Sequence, residues 1–208
     1  MIKLIIFDLD NTLFDTYGRL GVKVLEEMIM RMKKAGLTKR QEESLRKKYS
    51  FTSFRVLAHE LKLSDRTRKI GMSAYEDMDL SDIKPFFDVV VLQKLGYEKA
   101  LVTSGTKAIQ LKKIDVLGIK HYFDDIIIDE SDGFEGRKDI FKDLAAQHKA
   151  KPEQVVVIGD NPDIELFAAK QLGMVSVQIT RRDNALKGDA DHHVKNLYEF
   201  EELLGRIG

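Results

Sequence analysis

The chain opens with MIKLIIFDLDNT, residues 1–12, and its architecture follows from how that stretch is read. Positions 4–7 are Leu-Ile-Ile-Phe, with no polar residue alternating between them. A strand exposed on one face alternates; a strand buried on both faces reads as a short continuous apolar run. The run stops abruptly at Asp8, and a polar loop follows, Asp8-Leu9-Asp10-Asn11-Thr12.

The same grammar recurs along the chain. Apolar runs rich in Val and Ile occupy residues 100–103, 125–128, 154–158 and 174–179, after the first at 3–7. Segments of helix length precede or separate them, at 85–95, 106–117, 138–148 and 163–171, and Gly96, Gly118 and Gly173 supply helix stops. Residues 197–204 read as a last helix. A βαβα series of this kind predicts an α/β fold: a parallel sheet with helices on both faces.

One stretch breaks the series. Between the first strand and residue 85 no convincing strand appears. Leu20, Val24, Met28 and Met32 recur every four residues, one face of a helix. Thr38 followed by Gln41 has the form of a capping box. Phe54, Leu57 and Leu61 mark another helical face, and Ile70 and Ala74 a further one. Residues 16–83 are therefore expected to be a helical insertion hinged near Tyr17-Gly18 and 82–85, with residues 1–15 and 84–208 forming the core.

In a doubly wound sheet ligands collect at the carboxyl ends of the strands. Here those ends are polar. The first carries Asp8, Asp10 and Thr12; the second, Thr103-Ser104-Gly105-Thr106; the third leads to Arg137-Lys138; the fourth ends in Gly159-Asp160-Asn161-Pro162, with Asp163 and Glu165 close behind. Asp8, Asp10 and Asp160 brought together repel one another unless a cation sits among them. All-oxygen ligands suit Mg²⁺. A phosphate could then dock on the metal, the Thr103 hydroxyl, Ser104, Lys138 and the start of the helix after Ser104. Asp8 could attack phosphorus as a nucleophile, and Asp10 could move the protons.

These residues resemble the haloacid dehalogenase (HAD) superfamily. The first motif of that family, D-x-D-x-T, is matched by DLDNT at 8–12; the second, an apolar run ending in Thr or Ser, by 100–103; the fourth, GD with an acid soon after, by Gly159-Asp160. The third contributes a Lys, often before proline; here it is matched by Lys138 in Gly136-Arg137-Lys138-Asp139, with Arg137 as the alternative. The resemblance covers essentially the whole chain, and VTSGTKAIQLKKIDVLGI at 102–119 looks like the phosphatase branch. It implies a Rossmann-like core with an inserted helical cap, and a Mg²⁺-dependent phosphomonoesterase acting through an aspartyl-phosphate on a phosphoglycolate-, nucleotide- or sugar-phosphate-like ester. The roles it implies are Asp8, Asp10 and Lys138 as catalytic residues, Thr103, Ser104 and Lys138 as phosphate ligands, and Asp8, Asp10 and Asp160 as the metal set. Either Glu165 or Asp163 answers to the second acid of the fourth motif. Dehalogenases of the family lack the second Asp of the first motif, so Asp10 points to phosphate chemistry. Two alternatives use the same Asp pair: a phosphomutase of β-phosphoglucomutase type, and a regulatory module that accepts phosphate without turnover.

Composition narrows the field further. The chain has 208 residues, 34 Lys and Arg against 34 Asp and Glu, and 43% hydrophobic residues. That is enough apolar chain for a real core, and disorder is excluded. Zero net charge argues against bulk binding to nucleic acid or to an anionic membrane. The absence of Cys excludes disulfides, a thiolate nucleophile and Cys-based zinc sites. Asp8 and Asp10 interrupt the opening apolar run too early for a signal sequence. The expectation is a cytoplasmic monomer or homodimer whose partner is a small-molecule phosphate ester. His192 and His193 are adjacent and read as structural, since neighbours on a strand face opposite ways. The basic stretches at 39–40, 46–48 and 66–69 read as solvated helical faces. Phe51, Thr52, Phe54 and Arg55 read as cap packing, with substrate contact as the alternative.

Overall fold

The computed structural model describes residues 1–49, 54–131, 134–182 and 187–208. Phe51 and Thr52 lie outside the described residues. The chain divides into two compact units, Met1–Asp15 with Ile83–Gly208, and Thr16–Asp82.

The larger unit is built on β1 (Leu4–Phe7), which is wholly buried. The smaller unit holds α1 (Arg19–Lys33), α2 (Lys39–Lys48), α3 (Phe54–Glu60) and α4 (Asp65–Glu76). The larger unit then continues through β2 (Glu98–Ser104), α5 (Lys107–Leu117), β3 (Asp125–Asp129), α6 (Phe134–Gln147), β4 (Val155–Gly159), α7 (Phe167–Gln171), β5 (Val175–Ile179), β6 (His192–Val194) and α8 (Leu197–Ile207). The strands form one parallel sheet in the order β3-β2-β1-β4-β5-β6. This is a Rossmann-like α/β sheet whose order reverses at β1, which lies between β2 and β4.

The non-alternating runs have their expected cause. Leu4 and Ile6 of β1 join Ala100, Val102, Val155 and Val157 in a cluster with Phe141 and Leu144 of α6 and Ala168 and Ala169 of α7. Phe7 instead meets Phe200 of α8 and Phe123 edge-on, each at 5.9 Å between ring centroids. Both faces of β1 are thus covered. Burying a side chain of this size contributes roughly 1.5–3 kcal/mol.

Three expectations are corrected. Residues 85–95 do not form an α-helix; Phe87–Gln93 is a 3₁₀ helix. Its Val89, Val90 and Val91 are stiff at χ1, and Asp88 is buried on Arg181 at 2.5 Å. The segment at 163–171 opens with a π-helical turn, Pro162–Leu166, before α7 begins. The strand β6 was not among the five runs expected to form the sheet; it pairs with β5 as Val177↔His192 and Ile179↔Val194.

In the smaller unit Val24, Met28 and Met32 are buried along α1, which packs on α4. The Thr38–Gln41 capping box forms, with Gln41 N–H donating to Thr38 Oγ1 at 3.3 Å and Thr38 N–H to Gln41 Oε1 at 3.0 Å. Phe54 packs inside this unit: a β-carbon on Gly71 would collide with its ring. Several of the basic side chains are paired, Arg46 with Glu26 and with Glu42 at 3.1 Å, Arg68 with Asp65 at 3.1 Å and Lys48 with Glu60. Among the described residues no helix is long and apolar enough to cross a membrane.

Candidate active site

The loop after β1 is shaped by its own sequence. Asp8 continues the ladder, its N–H donating to Ile158 O of β4 at 2.9 Å. Leu9 and Leu13 are fully buried anchors, and Leu13 N–H closes the loop on Leu9 O at 2.9 Å. Between them Asn11 takes a left-handed φ of 60°, a conformation that asparagine tolerates. Its Nδ2 donates to Asp160 Oδ2 at 3.2 Å, tying this loop to the end of β4. Thr12 is buried and its hydroxyl donates to Asp8 Oδ2 at 3.1 Å.

The end of β4 supplies the other acids. Asp160 follows Gly159, and its main-chain carbonyl accepts from Gln178 Nε2 of β5 at 3.0 Å. The π-helical turn aims Glu165 inward, where its Oε1 accepts from Asn161 N–H at 2.7 Å. Such turns frequently mark functional sites. Asp163 faces solvent. Asp8, Asp160 and Glu165 each bring a carboxylate oxygen within 4.8 Å of the others. Asp8 and Glu165 are 8% and 3% exposed.

Crowding and burial raise all three pKa values. Burial lifts Asp8 well above the carboxylate range, and the Glu165 charge adds to it. Burial and the Asp8 charge push Asp160 up to about 8. Burial and the Asp160 charge push Glu165 up to about 7. Three buried acids crowded together form an all-oxygen donor set of the kind that suits a hard cation. The residues present fit a hard divalent metal.

The cation on α6 nearest in effect is Arg137. Its charge opposes the rise at both Asp8 and Glu165. The guanidinium is almost completely buried, with Nη1 donating to Val102 O at 2.7 Å, Nη2 to the Ser104 hydroxyl, and Nε 3.3 Å from Asp129 Oδ2. Lys138, the next residue, is half-buried. Thr103, next to last in β2, is fully buried, with its hydroxyl oxygen 2.6 Å from Gln110 Nε2. Ser104 is exposed. The start of α5 is already covered by an acid: Lys107 N–H donates to Glu130 Oε1 at 3.0 Å.

Sequence reasoning missed Gln110, Lys113 and Arg181. Lys113 Nζ lies 2.8 Å from Asp10 Oδ1, and Gln110 Nε2 donates to Asp10 Oδ2 at 2.9 Å. Arg181 donates to Thr12 O at 2.8 Å from Nη2 and pairs with Asp88. One signal was present: Gln110 and Lys113 fall on the helical face shared by Ile109, Ile114 and Leu117.

A model of the haloacid dehalogenase-like hydrolase family matches residues 5–179. The chain is similar to a glyceraldehyde 3-phosphate phosphatase of Methanopyrus kandleri, 32% identical over 199 residues that cover 87% of this chain and 85% of the relative. It is also similar to a glyceraldehyde 3-phosphate phosphatase of Methanothermobacter thermautotrophicus, 27% identical over 214 residues covering 94% and 92%. A crystal structure of a HAD phosphatase from Thermococcus onnurineus shares the fold, with a TM-score of 0.69 at 22% identity and 98% of each chain covered. With the family pattern running from β1 to the end of β5, the chain belongs to the haloacid dehalogenase-like hydrolases.

Proposed function

We propose that this chain is a Mg²⁺-dependent phosphomonoesterase that hydrolyses a small organophosphate through an aspartyl-phosphate on Asp8. That it is a HAD-type phosphatase follows from its family and its named relatives. The observation that carries the finer reading is the meeting of Asp8, Asp160 and Glu165, with Asp10 two residues beyond Asp8.

Asp8 and Asp160, with Glu165 behind them, would hold the metal; Asp10, expected as a third ligand, has its carboxylate on Lys113 and Gln110 and is not in that cluster. When bound, Mg²⁺ would neutralise the acid cluster and the incoming phosphate. The chemistry then belongs to the side chains. An Asp8 carboxylate oxygen forms a bond to phosphorus as the bond to the ester oxygen breaks, and Asp10 gives its proton to that departing oxygen. Asp10 next takes a proton from water, whose oxygen joins phosphorus as the bond to Asp8 breaks and inorganic phosphate leaves. The Thr103 hydroxyl, Ser104 and a cation from α6 would bind the phosphate oxygens. On the electrostatics, Arg137 is the proposed cation, with Lys138 its neighbouring rival.

Both relatives named above are glyceraldehyde 3-phosphate phosphatases, so a triose phosphate is the first ester to test. The helical unit, Thr16–Asp82, is proposed to select among esters, because an insertion of that length beside a catalytic loop is usually functional. The experiment is phosphate release from glyceraldehyde 3-phosphate, phosphoglycolate, hexose phosphates, nucleoside monophosphates and 4-nitrophenyl phosphate, with Mg²⁺ and with EDTA. Metal-dependent release supports the reading. Interconversion of hexose phosphates without release would favour the mutase, and release unaffected by EDTA would overturn the metal assignment.

A further inference from the structure

Lysine is almost never fully buried unless paired. Lys113 of α5 has a side chain with 0% exposure, and Gln110, one turn earlier, is equally buried. A helix that only packed against the sheet would carry apolar residues at both positions. Instead both reach Asp10: Lys113 Nζ to Oδ1 at 2.8 Å, Gln110 Nε2 to Oδ2 at 2.9 Å. Lys113 Nζ also sits 5.5 Å from the centroid of the Phe14 ring, on the same loop that carries Asp10. Gln110 Nε2 further touches Thr103 Oγ1 at 2.6 Å and Ser104 O at 2.7 Å. Gly105 makes room for it: a β-carbon there would lie 3.1 Å from the Gln110 side chain, at a φ of 144° that favours glycine.

Two donors from one helix, one on each oxygen, fix both the place and the plane of a carboxylate. A general acid must be held within hydrogen-bond reach of the oxygen that it protonates, and small displacements are costly. We propose that Lys113, assisted by Gln110, is a positioning residue that holds the Asp10 carboxylate against α5 in its working orientation toward the leaving group. The inference rests on the reading of Asp10 as the acid given above.

Leaving-group dependence separates this role from mere packing. A departing 4-nitrophenolate needs little help from an acid, whereas a departing phenolate needs more, and the two esters have nearly one shape. With Mg²⁺ present, kcat/KM would be measured along an aryl phosphate series from 4-nitrophenyl to phenyl for the wild type, Asp10→Asn, Lys113→Met, Lys113→Arg and the Asp10→Asn/Lys113→Met double variant. In Lys113→Met the phenyl ester should lose about tenfold more than the 4-nitrophenyl ester, a fraction of the hundredfold or more that a general acid supplies. Lys113→Arg should recover part of that loss, and the double variant should match Asp10→Asn. Should Lys113→Met prove insoluble, Lys113→Gln is read by the same ratio. A fall by one common factor along the series, or no fall, makes Lys113 a packing residue and overturns the inference while leaving Asp10 in place. If Asp10→Asn itself shows no leaving-group dependence, the acid assignment fails, and the inference with it.

Discussion

Glu165 lies directly over Gly159: a β-carbon on the glycine would sit 2.6 Å from both Cγ and Oε1 of the glutamate. Glycine before Asp160 is therefore a matter of space for the third acid. The variant Gly159→Ala must push Glu165 out of the cluster or bend the π-helical turn. Its Mg²⁺ affinity should fall about tenfold to a hundredfold, as when a supporting contact to a metal site is lost, with the fold retained. Calorimetric titration of Mg²⁺ into wild type and variant reads this directly; equal affinities would remove Glu165 from the metal set.

Asp8→Asn should abolish turnover, because an amide cannot form the acyl phosphate. The Thr12 hydroxyl that donates to Asp8 Oδ2 at 3.1 Å can still meet the amide oxygen, so the loop should keep its shape. Circular dichroism should be unchanged, and phosphate release should drop at least a thousandfold, roughly the scale of losing the nucleophile from a concerted set. Residual activity of more than a few per cent in a preparation free of other phosphatases would reassign the nucleophile.

The three raised carboxyl groups make stability without metal depend on pH in a defined direction. Between their unfolded values near 4 and their folded values, the native state holds more protons than the unfolded one, so stability falls as pH rises. For Asp160 that window extends to about 8 and for Glu165 to about 7. His148 pulls the same way. Burial works to lower its pKa, but hydrogen bonds to Glu98 and Asp125 outweigh this and raise it, so its contribution is present below its unfolded value and is lost through the folded one. Mg²⁺ distinguishes the two sources, since Glu98 and Asp125, which hold His148, begin β2 and β3 and so lie at the amino ends of these parallel strands, whereas Asp8 follows the carboxyl end of β1. In EDTA the melting temperature should drop by several degrees from pH 5 to pH 8. Saturating Mg²⁺ should restore most of the loss at pH 8 and little at pH 5. A metal-free protein that gains stability over that range would contradict the arrangement of the acid cluster.

The sheet was legible because parallel strands buried on both faces leave unbroken apolar runs, and each run here ends where the chain turns polar. The edge strand β6 was hidden for the converse reason: of His192, His193 and Val194 only the valine is buried. Residues 162–166 read as ordinary helix because nothing in Pro-Asp-Ile-Glu-Leu announces a π turn; the turn follows from Glu165 reaching back to Asn161. The loops bearing Asp8, Thr103 and Asp160 stood out as polar residues at strand ends. Gln110 and Lys113 did not, since a long polar side chain in a helix is read by default as solvent-facing. Their place on the apolar face of α5 hinted otherwise, but the partner that explains it, Asp10, is a hundred residues away in the chain.

The two neighbouring cations of α6 can be separated. Arg137 is gripped by Val102 O, Ser104 and Asp129, and its charge acts on Asp8 and Glu165. Lys138 is half-buried beside it. Removing the Arg137 charge outright would strand Asp129, itself 3% exposed, at a cost of roughly 3–5 kcal/mol, and would confuse unfolding with catalysis. Arg137→Lys avoids this: the charge stays but the fork that spans Val102 O and Ser104 is lost. It should fold with a lowered melting temperature and lose about a hundredfold in kcat/KM, the scale of a displaced charge-stabilising donor, for all phosphate esters alike. Lys138→Met should stay within about 0.5 kcal/mol of wild-type stability, as expected at a surface position. Its kcat/KM should change less than threefold on any ester, because the phosphate already meets Arg137. Should Lys138→Met instead carry the uniform loss while Arg137→Lys retains full activity, Lys138 is the phosphate-binding cation, and Arg137 serves only to fasten α6 to the end of β2.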